Sequence, residues 1–79
     1  MQTVHEKQYG NGWVGKVMVG TYVTFGDKAR PGEFAHSTLY SPEGREMAMS
    51  FNAPAEKALG LVANLDRMYD YWRNELGLA

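Results

Sequence analysis

From Asn52 to Gly77 the apolar residues Ala58, Leu61, Val62, Leu65, Met68, Tyr69, Trp72 and Leu76 recur at spacings of three and four. That period places them along one face of a helix. Asn52 can cap the first free N–H groups, and Pro54 is tolerated in a first helical turn, where its missing N–H costs nothing. Glu56 suits the positive end of the helix dipole, and Gly77 can adopt the left-handed conformation that closes a helix. The pattern predicts a helix of about 24 residues, about 36 Å long. Only a sheet made from the preceding fifty residues can cover its apolar face.

Those fifty residues read as four strands. Val4 to Tyr9 is the first, and Asn11-Gly12 is a two-residue hairpin turn, since both residues tolerate positive φ. Trp13 to Phe25 is rich in valine, threonine and aromatics and alternates, with Val17, Val19, Thr21, Val23 and Phe25 on one side. Gly20 predicts a bulge or bend within it. A charged loop spans Gly26 to Glu33, and Phe34 to Tyr40 is the third strand. Ser41-Pro42-Glu43-Gly44 is a turn, and Arg45 to Phe51 is the fourth strand. With Ser41 opposite Arg45, Leu39 faces Met47, Ser37 faces Met49 and Ala35 faces Phe51. The expected fold is α+β: a four-stranded antiparallel sheet of two hairpins with one C-terminal helix on one face, in the order β-β-β-β-α, as a single domain over 1–79.

Composition narrows the class. The 79 residues are 44% apolar and 22% charged, as in folded proteins, and carry a net charge of −1 that draws the chain to neither nucleic acid nor anionic membrane. No cysteine is present, so there is no disulfide framework or thiolate metal site, and a cytoplasmic location is expected. No apolar run approaches the length of a membrane span, and the first residues lack the order of a signal peptide. A core this small favours oligomerisation or a permanent partner.

Function is expected on the side of the sheet away from the helix. With the two-residue turn, His5, Lys7, Tyr9, Val14, Lys16 and Met18 share that outer face, and Phe34, His36, Thr38, Tyr40 and Tyr22 join them. Aromatic side chains left on an open face point to a contact surface. Lys7 then lies opposite Lys16, and like charges across a pair repel. That cost signals either an acidic partner or a register displaced by one residue. The candidate partner-binding residues are Tyr9, Lys16, Tyr22, Phe34, His36 and Tyr40, with Arg67 and Tyr71 on the helix in reserve. A protein partner is the leading reading, and a homodimer through this face is one form of it. A single-stranded nucleic acid stacked on the same aromatics is the alternative.

Catalysis finds little foothold. His36 and Ser37 are adjacent in a strand and point to opposite faces. Neither His5 with Glu6 nor His36 with Glu46 completes a metal site, and no cofactor is implied. The glycine-rich run 10–16 ends in a lysine but leads into a strand, without a helix N-terminus to receive phosphate. In size and layout the chain resembles small phage-encoded inhibitors of bacterial defence, the anti-CRISPR proteins among them. The resemblance implies a stoichiometric binder that blocks a larger nucleoprotein machine. A hairpin series followed by a helix also resembles antitoxins of the partial RNase-H type.

Overall fold

The computed structural model describes residues 2–22, 32–50 and 53–78, and for Thr21 and Tyr22 the backbone alone. Strands β1 (Gln2–Gln8), β2 (Val14–Tyr22), β3 (Gly32–Tyr40) and β4 (Glu46–Met49) form an antiparallel sheet in that spatial order. A two-residue strand, β5 (Ala53–Pro54), pairs with the far end of β3, and α1 (Leu61–Leu76) closes the chain. The α+β architecture is as expected. Most of the expected loop over 26–33, the strand end at Val23–Phe25, Phe51 and the Asn52 cap fall outside the described residues.

The first turn is one residue longer than expected. Gly10–Gly12 form a 3-10 turn closed by a hydrogen bond from the Tyr9 N–H to the Trp13 carbonyl at 2.8 Å. Asn11 and Gly12 both take positive φ, as their chemistry allows. The extra residue moves the register by one: Gln8 pairs with Val14, Lys7 with Gly15 and Glu6 with Lys16. A one-residue slip exchanges the two faces of a strand. His5, Lys7 and Tyr9 therefore point toward the helix, and the expected Lys7–Lys16 clash is replaced by an ion pair between Glu6 and Lys16 at 3.8 Å.

The second turn closes as expected, with the Ser41 N–H on the Arg45 carbonyl at 2.9 Å. A bulge follows. Tyr40 pairs with Glu46, Leu39 with Ala48 and Thr38 with Met49, so Met47 is the extra residue and the expected Leu39–Met47 pair does not form.

The helix is shorter than its apolar stripe. Ala53 and Pro54 are taken by β3, where Pro54 is extended at φ −54, ψ 142, and Ala55–Gly60 continue as a 3-10 helix. A period of three keeps Ala55, Ala58 and Leu61 on one side, and the α-helix carries the stripe on through Leu65 and Met68. At the other end the reading holds. Gly77 has φ 65 and donates to the Asn74 carbonyl, while the Leu78 N–H reaches back to the Arg73 carbonyl at 2.9 Å.

Among the described residues Val17, Ala35, Leu61 and Leu65 form one buried cluster, and Trp13 and Leu39 are buried as well. Gly15 is what lets the helix approach. A Cβ there would stand 3.0 Å from both Leu65 methyl carbons and 3.2 Å from the Tyr9 ring.

Candidate functional site

The helix side of the sheet is bound up with itself. Tyr9 stacks on Tyr69 with ring centroids 4.3 Å apart, and Trp13 meets Tyr69 edge-on at 6.1 Å. Asp66 Oδ1 accepts from the Tyr9 hydroxyl at 2.7 Å and from the Lys7 ammonium at 2.8 Å. These two donors, Lys7 first, hold the Asp66 carboxyl below its ordinary pKa. Burial first, and then the bond to Asp66, push the Tyr9 phenol far above its own. The network ties β1 to α1 across the hairpin.

The outer face is organised differently. Lys16 on β2 lies beside Glu6 on β1, and its ammonium sits 5.4 Å from the centre of the Tyr40 ring on β3. These three side chains wall a groove of about 440 Å³ whose far side is Pro42 and Gly44 of the second turn. Along the same face Phe34 is half-buried and Met49 is 56% exposed. Thr38 is completely buried, flanked in register by the longer Lys16 and Met49. His36 is only 5% exposed, and burial lowers its pKa against the opposing pull of Glu46.

The expected contact residues thus separate. Lys16 and Tyr40 come together in the groove, and Phe34 lies on the same face but at the other end of β3. Tyr9 does not share that face, because the longer turn rotates β1, and it is packed against the helix. His36 faces outward but offers almost no surface. The Tyr22 side chain lies outside the described residues. On the helix, Tyr71 is 57% exposed and rests edge-on against Trp72, while Arg67 is exposed and bonds Asn64. Asp70 pairs with Arg73 at 3.3 Å. Sequence reasoning missed Glu6 and Pro42 as groove residues. The unfavourable Lys7–Lys16 pairing was the signal that could have placed Glu6 there.

A second groove, of about 450 Å³, opens on the helix side between the end of α1 and the second turn. Trp13, Met47, Leu76 and Leu78 line it, with Glu43 and Arg45 at its rim. The turn at Ser41 and Pro42 is the wall common to both grooves.

Among the described residues no group of three His, Asp or Glu side chains is placed to hold a metal ion, and no helix is long and apolar enough to cross a membrane. Comparison with known proteins finds no family model, no curated protein and no solved structure that matches this chain.

Proposed function

We propose that the chain is a non-enzymatic protein-binding module that meets its partner with the outer face of its sheet. The observation that carries this reading is the groove in which Glu6, Lys16 and Tyr40 converge from three neighbouring strands. A half-buried tyrosine held in place by a cation, beside a pair of opposite charges, has the makeup of an interface anchor. The sheet edge is less suited to the task. Along β1 the ladder is broken by a bulge at Val4, and Glu6 and Lys7 follow it, features that discourage strand addition.

The charge balance of the groove favours protein over nucleic acid. Lys16 is already paired with Glu6, whereas a phosphate backbone is bound by cations that release counterions. The titratable pair Tyr9 and Asp66, the first raised and the second lowered, serves the helix–sheet contact and not the groove. In its finer form the reading makes the chain a stoichiometric inhibitor that covers a surface of a larger assembly.

The test is capture from a lysate of the source cells, with and without nuclease, on immobilised wild-type and variant chains. A protein retained equally after nuclease, and lost when Lys16→Glu and Tyr40→Ala are combined, is the expected result. Capture abolished by nuclease, and falling steeply with salt, would establish the nucleic-acid alternative. Loss of capture with Tyr71→Ala, and not with the sheet variants, would move the contact to the helix.

A further inference from the structure

The groove on the helix side is built as both a knob and a hole. Leu76 is 51% exposed on the last turn of α1, beside the partly buried Leu78. It is held there. The left-handed Gly77 and the Leu78-to-Arg73 hydrogen bond fix the helix end and set Leu78 beside it. Directly adjacent is the depression floored by Trp13, which is 3% exposed, and walled by Met47, the bulged residue of the β3–β4 pair. The bulge turns a methionine toward this space, and methionine adapts readily to a partner surface.

The rim adds a second observation. Glu43 and Arg45 stand two residues apart in the same turn, with opposite charges, and both line the groove. The turn that carries them is stiff: the Arg45 N–H bonds the Ser41 hydroxyl at 3.2 Å, and the Gly44 N–H bonds the Ser41 carbonyl at 2.9 Å. A patch that holds a protruding leucine, an apolar recess and one charge of each sign carries the groups a two-fold interface needs, in which the same surface must complement itself.

We infer that this groove pairs with the same groove of a second copy of the chain, each Leu76 entering the recess of the other and each Arg45 facing the other copy's Glu43. The pairing uses the helix side of the molecule and leaves the Lys16–Tyr40 groove open, so a dimer would present two partner-binding faces. Stable interfaces bury about 800 Å² on each partner. The whole chain exposes 5370 Å², so one end of the helix and one turn supply only part of that area, and the association is weak.

Sedimentation equilibrium of the full chain tests this. The weight-average mass is expected to rise from 8.9 kDa toward twice that value as concentration rises from about 10 μM to about 1 mM. Leu76→Asp, at an exposed site where folding survives and is checked by circular dichroism, is expected to stay monomeric throughout. Glu43→Arg and Arg45→Glu should each weaken self-association at least fivefold, and mixing the two variants should restore it, since only the mixed pair then opposes unlike charges. A mass that stays at one chain over the whole range overturns the inference. So does a dimer that Leu76→Asp leaves intact, or a charge-swapped mixture no stronger than either variant alone.

Discussion

The two faces of this sheet, carried by the same strands and separated by a single residue of register, have opposite physical characters. Between β1, β2 and α1 the helix side is closed by contacts within the chain: Gly15 makes room for Leu65, Tyr9 stacks on Tyr69, and Lys7 reaches Asp66. On the outer side Lys16, Glu6 and Tyr40 satisfy one another loosely at the wall of an open groove. Substitutions at the Tyr9, Gly15 and Leu65 contact should therefore be read in stability, and those at Lys16 and Tyr40, on the proposed reading, in binding.

The largest stability effect is expected from the smallest residue. Gly15→Ala puts a methyl group 3.0 Å from the two ends of the buried Leu65 side chain and 3.2 Å from the Tyr9 ring. Leu65 has no exposed surface to retreat into, so the helix must lift or the side chain must leave its rotamer. Overpacking of this kind costs about 1–3 kcal/mol. The urea midpoint should fall by that free energy divided by the m-value, with little change in the slope itself. An unchanged midpoint would mean that the helix is not seated on β2.

A smaller effect, with a distinctive pH signature, belongs to the Tyr9–Asp66 bond. The folded state raises the Tyr9 pKa above its ordinary 10.0. Stability from that shift is complete below pH 10 and is lost as pH rises toward the folded-state value, because the unfolded chain ionises first. Asp66 works in the other direction. Its folded pKa is lowered, so its contribution is present above its ordinary 3.8 and is lost as pH falls through the folded-state value. Tyr9→Phe should cost about 1 kcal/mol at neutral pH and remove the alkaline decline in melting temperature. An alkaline limb that persists in this variant would assign it to another group.

What the chain disclosed and what it hid follow from how far each signal travels. Gly77 was legible because a glycine after an apolar stripe closes a helix through bonds only three to five residues long. Leu61 and Leu65 were legible as core because the period holds locally. The helix start was not, because β3 claims Ala53 and Pro54, and that competition is tertiary. Gly10-Asn11-Gly12 suits a two-residue or a three-residue turn equally well, and the choice decides which face Tyr9 occupies. Its hydroxyl partner lies 57 residues away, beyond any spacing rule. Of the residues expected on the outer face, Lys16 and Tyr40 do lie together there, because β2 and β3 pair without interruption from Val14 to Tyr22.

The smallest expected effect is the most direct check on that register. Glu6 and Lys16 stand 3.8 Å apart with their side chains 46% and 36% exposed. A double-mutant cycle between them should give a favourable coupling of about 0.2–0.5 kcal/mol that shrinks with added salt. The same cycle between Lys7 and Lys16 should give a coupling near zero, since the two now lie on opposite faces of the sheet. With a two-residue turn the outcome would reverse, Lys7–Lys16 showing repulsion and Glu6–Lys16 nothing. A repulsive Lys7–Lys16 term would return Tyr9 to the outer face and dissolve the contrast between the two sides, so a few tenths of a kcal/mol decide which side chains the proposed contact surface holds.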